Sequence, residues 1–389
     1  MRIVHAIPSL DPADGGPPAV AVRLAEAQAR LGHDVLLLHL EPELGRADAV
    51  AGLIASPPGD RRSEVRHVSK PRGLRDRLAC WQGAIAAHRP EIVHVHGLWQ
   101  PEILAAAREC RRTGVPYVLE TYGTLNPWAL RQKRLKKRIF LAIVHRRLLR
   151  EAAFVHALND VEARHIVEAS GGGSVEVFPN GVFLEEFESA DAARGRRAVQ
   201  GLGDAPYALF LARLHPVKGL DLLADAFADA ARSVPRAHLV VAGPEDVGAA
   251  DFRASVHEHG LADRVHLVGE VAGAFKKDLL AGAACFVQPS RQEGFSVSIL
   301  EALAAGRAVA ITEGCNFPEV AEAEAGFVVP FERNALSSAI ARLLSDPDEA
   351  ARRGRHGRSL VERRYTWEAV ASQCLDAYRR GLERFTPRR

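Results

Sequence analysis

Short apolar runs alternate with amphipathic stretches along almost the whole chain. RIVHAIP (2–8), DVLLLHL (34–40), IVHVH (92–96), PYVLETY (116–122), FVHAL (154–158) and VEVFP (175–179) each have the length and composition of a buried strand. After Pro17, a residue suited to a first helical turn, Val20, Leu24, Ala27 and Leu31 recur at helical spacing and are expected to face a sheet; Gly32 ends that helix. A helix over about 101–113, a long basic helix after 122 and another after 158 fill the other gaps. This alternation predicts a parallel sheet covered by helices on both faces. Residues 183–204 are polar and read as a link with a short helix. The rhythm then restarts with YALFLAR (207–213), AHLVVAG (237–243), RVHLVG (264–269), ACFVQPS (284–290) and AVAIT (308–312), and the chain is helical from Leu343 onward. The expected domains are 1–190, 200–365 and a terminal helical segment, 366–389.

Composition narrows the class. The 389 residues are 47% hydrophobic and 25% charged, which suits two globular domains. A net charge of +3 gives no ground for nucleic-acid binding. The five cysteines are scattered and form no C-x-x-C, so neither a disulfide framework nor a zinc ribbon is expected, and a reducing, cytoplasmic setting fits. No run is long enough to span a membrane, and the first residues read as a strand and loop rather than a leader.

The most informative stretch is PSRQEGFSVSILEALAAGRAVAIT, 289–312. A strand ends at Gln288, a loop delivers Glu293 and Gly294, and an almost wholly apolar helix starts near Phe295 with Glu301 in its middle. A buried lone carboxylate costs several kcal/mol unless something binds it. It either pairs with a buried Arg or backbone donors, or accepts from two adjacent ribose hydroxyls. The N–H groups at the helix start, around Gly294 to Ser296, suit phosphate or sugar oxygens. Upstream, FLARLHPVKGLDLLADAF (210–227) places Arg213 at a strand end and Lys218 at a helix start, where two cations can serve as surface charges or form a diphosphate pocket.

Glu293 and Glu301 with seven residues between them, in this strand–loop–helix setting, resemble the E-x7-E signature of the retaining family 4 glycosyltransferases (glycosyl transferases group 1). The resemblance covers nearly the whole chain and is most specific over 207–330. It implies an α/β GT-B fold: two Rossmann-like parallel-sheet domains facing across a cleft, with a C-terminal helix crossing back to the first. It implies an N-terminal acceptor-binding domain and a C-terminal domain that binds a nucleoside diphosphate sugar. Glu301 would hold the ribose and Glu293 the transferred sugar, with Gly294, Phe295 and Ser296 along the sugar and diphosphate. Arg213 and Lys218, in the family's R-x4-K spacing, would neutralise the departing diphosphate. Asn180 in PNGV, Gly243 in AGP and Gly16 in the glycine-bearing loop before the first helix complete the implied donor site. Phe317-Pro318-Glu319-Val320 also resembles a family segment, with Glu319 read as structural.

His94 and His96 share one strand face, and His96 lies at the end where ligands gather, near the acceptor by resemblance; a satisfied structural histidine is the alternative. At 120–130 the chain departs from the family: Tyr122 stands where a His or Arg often precedes Gly, and a phenol is a poor base near neutral pH. Thr121, Gly123, Asn126 and Trp128 are further acceptor-side candidates. Residues 131–150 hold nine Lys or Arg and no acid. They read as a solvated helix, or as one drawn to anionic lipid head groups near a lipid-linked acceptor; Lys137 also matches a family lysine. Asp346-Pro347-Asp348 sits in a helix–helix turn, where Asp348 is expected to cap a helix; no metal site and metal-independent transfer are expected. In the last segment Trp367, Val370, Cys374 and Tyr378 fall on one helical face.

The function this implies is retaining transfer of a hexosyl group from a nucleoside diphosphate sugar to a hydroxyl of a glycan or lipid-linked saccharide, in polysaccharide or cell-envelope biosynthesis, with no further cofactor. A nucleotide-sugar-binding partner without activity, and a nucleotide-sugar epimerase, are the alternatives.

Overall fold

A computed structural model describes residues 1–55, 63–127, 130 and 140–385 of the chain. Trp128 and residues 131–139 of the basic stretch, including Lys137, lie outside the described residues. The chain divides into two compact units: Met1–Gly181 with Trp367–Arg389, and Val182–Thr366.

The first unit holds a seven-stranded parallel sheet in the order β3-β2-β1-β4-β5-β6-β7. Its strands are β1 (Arg2–Ala6), β2 (Asp34–Leu40), β3 (Glu64–Val68), β4 (Ile92–His96), β5 (Tyr117–Glu120), β6 (Phe154–Ala157) and β7 (Val175–Val177). β2 and β4 match the apolar runs end to end, and the helix Pro101–Thr113 matches its expected span. The edge strand β3 carries no such signal, since Glu64, Arg66 and His67 are not buried. Leu31 was expected to face the sheet; it caps the helix Gly16–Arg30 and is exposed, because the helical face has run out by then. The C-terminal helix Trp367–Arg384 belongs to this unit and buries Trp367, Val370, Cys374 and Tyr378.

The second unit holds a six-stranded parallel sheet in the order β10-β9-β8-β11-β12-β13. The strands are β8 (Tyr207–Leu211), β9 (His238–Ala242), β10 (Val265–Gly269), β11 (Cys285–Gln288), β12 (Ala308–Thr312) and β13 (Gly326–Val329). The segment expected as a link, 183–204, is part of this unit: the helix Ala192–Arg197 is tied to the helix Gly273–Gly282 by Arg194 and Asp278, and Asp278 Oδ1 accepts from the Asp191 N–H at 2.8 Å. Asp346, not Asp348, caps the helix Pro347–Arg364, accepting from the Glu349 N–H at 2.9 Å; Asp348 sits two residues further in, within the first turn. All five cysteines are free thiols.

Both sheets reverse direction of strand succession at one point, between β1 and β4 in the first unit and between β8 and β11 in the second. In open parallel sheets the crevice beyond the strand ends at such a point is where ligands sit.

Candidate functional site

In the second unit the residues after β8 and β11 meet at that reversal. β8 runs out at Leu211, and the chain turns through Pro216–Lys218 into the helix Leu220–Ser233. Gly219, at φ +71°, makes the turn possible: a Cβ there would stand 1.9 Å from the Pro289 carbonyl oxygen. This close crossing brings Lys218 against the loop after β11. Lys218 Nζ donates to Glu293 Oε1 at 2.6 Å. Gln288 Nε2 at 2.7 Å and Ser290 Oγ at 2.6 Å donate to the same oxygen. Among the described residues no hydrogen bond is made to Oε2, so Glu293 is held firmly by one oxygen and offers the other.

The loop itself is clamped. The Glu293 N–H donates to the Gly314 carbonyl at 2.8 Å, and Asn316 Nδ2 donates to the Glu293 carbonyl at 2.7 Å. Thr312 Oγ1 donates to the Ser290 carbonyl at 2.6 Å. The helix Val297–Ala304 starts within two residues of Phe295, as expected, with Ser296 at its N-cap: the Ser296 hydroxyl caps the Ile299 N–H and donates to Gln288 Oε1 at 2.9 Å. Phe295, expected along the sugar and diphosphate, packs its ring with Phe317 and Tyr365 at centroid distances of 5.3 and 6.1 Å.

Glu301 is neither a core orphan nor paired to an arginine. Its side chain is 14% exposed and Oε1 accepts from Lys276 Nζ at 2.5 Å. Lys276, on the helix Gly273–Gly282, carries no sequence signal that singles it out. Among the described residues Oε2 of Glu301 receives no hydrogen bond. Arg213 is placed differently from Lys218: its side chain is 60% exposed and its nearest acid is Asp246, at 3.5 Å. Gly243 follows β9 at φ +144°, where a Cβ would meet the Ala212 carbonyl oxygen at 2.0 Å; this close approach sets the Arg213 loop beside β9. A cavity of about 950 Å³ lies at the opposite ends of these strands, lined by Pro206, Ala284 and Arg307 just before β8, β11 and β12, and takes in none of these residues.

The first unit arranges its expected residues otherwise. Gly16 is exposed at the start of its helix. Asn180 is buried, next to Gly181. Tyr122 sits in a left-handed turn (φ 51°) fixed by Glu162, whose Oε1 accepts from Thr121 Oγ1 at 2.7 Å and the Gly123 N–H at 2.6 Å. Burial, then the Glu120 charge, pushes the Tyr122 phenol well above its ordinary value, so it stays protonated. His96 was expected to face the acceptor. It is 2% exposed and both ring nitrogens are engaged, Nδ1 with Tyr122 Oη at 2.6 Å and Nε2 with His5 Nδ1 at 2.8 Å. The alternation that put His94 and His96 on one face is met, with the rings stacked at 4.5 Å, but that face is turned inward. Burial, followed by the neighbouring His96, lowers His5 to about 3 and holds His94 well below the histidine range. Burial works against ionisation of Glu120 too, yet His156 and His96 hold its carboxyl well below the usual range.

The comparisons follow this division. The glycosyl transferases group 1 family matches residues 194–360, and the glycosyl transferase 4-like domain matches residues 15–181. The GDP-mannose-dependent alpha-(1-6)-phosphatidylinositol monomannoside mannosyltransferase of Mycobacterium tuberculosis is 33% identical over 53% of this chain, a stretch that spans 56% of that relative's length. The GDP-mannose:cellobiosyl-diphosphopolyprenol alpha-mannosyltransferase of Xanthomonas campestris is 26% identical over 100% of this chain and 98% of its own. The crystal structure of Anabaena Alr3699/HepE in complex with UDP and glucose superposes with a TM-score of 0.76 at 20% identity, covering 97% of this chain and 99% of that one. With each half matched to its own part of one family, and both sheets in the arrangement of its solved folds, the chain belongs to the group 1, family 4 glycosyltransferases of GT-B fold.

Proposed function

We propose that this chain transfers a hexosyl group, with retention, from a nucleoside diphosphate sugar to a hydroxyl of a lipid-linked saccharide or glycan. The observation that carries the reading is the Lys218–Glu293 pair at the sheet reversal, with Glu301 eight residues further along, in the second turn of the helix Val297–Ala304. Both carboxylates keep one oxygen tied to lysine and one unused, which suits two sets of sugar hydroxyls. Glu293 orients the transferred sugar and Glu301 takes the ribose. Lys218, joined by the exposed Arg213, meets the charge that grows on the diphosphate as the anomeric carbon–oxygen bond breaks. The acceptor oxygen bonds to that carbon on the same face, and its proton passes to a donor phosphate oxygen. This needs no protein base, in keeping with a Tyr122 that holds its proton.

Two relatives named above use GDP-mannose, and their named acceptors carry lipid, so GDP-mannose with a lipid-linked acceptor is the first pair to test. The basic stretch 131–150 would favour an anionic membrane surface on the cytoplasmic side. Among the described residues no helix is long and apolar enough to cross a membrane. Isothermal titration with GDP, UDP and ADP, repeated with Glu301→Ala, tests the donor half. Binding of none of them by the wild-type chain overturns the reading. Anomeric NMR of the product then separates retention from inversion, and sedimentation with anionic vesicles tests the membrane surface.

A further inference from the structure

The buried histidines of the first unit leave a polar problem that hydrogen bonds do not solve. In the parallel register Glu120 on β5 lies level with His96 on β4 and His156 on β6, and His94 lies two residues back on the same face of β4. Glu120, His94 and His156 are all buried. Among the described residues His94 Nε2, His156 Nδ1 and both Glu120 oxygens make no well-aligned hydrogen bond, although His96 Nδ1 stands 3.0 Å from Glu120 Oε2. A carboxylate taken out of water needs compensating charge; among the described residues no Lys or Arg reaches Glu120, so the charge comes either from the histidines around it or from an ion held among them.

The outer nitrogens fix which atoms face inward. His156 Nε2 donates to the Phe178 carbonyl at 2.8 Å, so Nδ1 is the nitrogen that faces Glu120, able to present it a proton or, in the neutral ring, to present a metal ion a lone pair. His94 Nδ1 is engaged by Tyr378 Oη at 2.6 Å, which aims Nε2 the same way. Glu120 Oε2 stands 3.6 Å from His94 Nε2 and 3.5 Å from His156 Nδ1. These gaps are long for a charge-assisted hydrogen bond of about 2.7–2.9 Å. They come within a few tenths of an ångström of the edge, roughly 3.3–3.4 Å, of a tetrahedron around an ion bound at about 2.0–2.1 Å. All three atoms lie within 4.8 Å of one another. Imidazoles whose far nitrogens are tied to a carbonyl or hydroxyl are the ordinary form of metal-ligating histidine. A second grouping, His5 with His94 and His96, is less suited: His5 already bonds His96 at 2.8 Å and Gln28 at 2.8 Å.

We propose that His94 Nε2, Glu120 Oε2 and His156 Nδ1 form a buried site for one divalent transition-metal ion. Two imidazoles and a carboxylate are borderline donors that suit Zn²⁺ over Mg²⁺ or Ca²⁺. The ion pins β4, β5 and β6 together and, through the Tyr378 bond to His94, the C-terminal helix. His96 Nδ1, 3.0 Å from the same Glu120 oxygen, stands beside the fourth position. The role is structural and separate from the donor residues.

The test uses the full chain, treated with chelator and dialysed into metal-free buffer. One equivalent of Co²⁺ is expected to give the strong visible absorption of a four-coordinate nitrogen–oxygen site, Zn²⁺ to abolish it, and Zn²⁺ to raise the melting temperature. His156→Gln and His94→Gln should each weaken Zn²⁺ binding at least about 100-fold, while His5→Gln leaves one ion per chain. If a substituted chain fails to fold, the wild-type cobalt spectrum still decides. A folded wild-type chain with no cobalt spectrum and no retained Zn²⁺ overturns the proposal. So does loss of binding in His5→Gln with retention in His156→Gln, or an NMR signature of a doubly protonated His156 that one equivalent of Zn²⁺ leaves unchanged.

Discussion

The two sheets set carboxylates beside the same reversal of strand order and compensate them in opposite ways. In the second unit Glu293 and Glu301 each have a lysine, on a flexible stem and partly exposed, at 2.6 and 2.5 Å. In the first unit Glu120 is fully buried and ringed by imidazoles fixed in β4 and β6. A lysine partner can swing to an incoming phosphate and leave the acid to a hydroxyl. A packed imidazole cannot. Displaceable partners mark a place where ligands come and go, and fixed partners mark a place where the fold itself is held.

The largest expected effect separates the two by pH. His5, lowered to about 3 in the folded chain, stays neutral while its unfolded counterpart binds a proton below the usual value of 6.5. Its contribution is therefore complete above pH 6.5 and is lost as pH falls toward 3. In metal-free buffer, urea melts should show stability falling by about 1.4 kcal/mol per pH unit for this one proton. His5→Gln should lessen that slope by this one proton's share, His94 keeping its own; an unchanged slope breaks the comparison from the first unit's side. Next in size, Lys218→Ala should lower donor turnover about 100- to 1000-fold, because one preorganised cation at the developing charge is gone. Its melting temperature should scarcely move, and a large fall would make Lys218 a structural partner after all. Glu301→Ala should weaken nucleoside diphosphate binding roughly 10- to 100-fold, read by titration calorimetry. Smallest, Lys276→Ala should change stability by less than about 1 kcal/mol, since the pair is partly exposed. A larger loss in thermal melts would place Glu301 with the fixed acids.

The central strands were legible because burial on both faces leaves a short run that is apolar apart from histidine, as in Val35–Leu40 and Ile92–His96. β3, with three polar residues facing out, offered nothing to read. In the candidate site, Glu301 stood out as an acid in an apolar helix, and the family resemblance added Glu293 and Lys218; the structure brings Lys218 and Glu293 together. Lys276, Gln288 and Glu162 were not legible, because each acts on a residue elsewhere in the chain and has no local pattern of its own. His96 shows the limit from the other side. Alternation gave its face and strand end, but which face is turned inward depends on the helices laid over it, here one drawn from the far end of the chain through Tyr378.

The crossing from the first unit to the second carries one more consequence. Val182 forms a parallel bridge with Thr366, its N–H donates to the Tyr365 carbonyl at 2.9 Å, and a Cβ on Gly181 would touch Trp367. The outgoing and returning segments thus run side by side, so residues 182–366 amount to one insert with neighbouring ends. Such an insert can be excised or exchanged as a cassette, its seam closed by a short splice between Gly181 and Trp367, without rethreading either sheet.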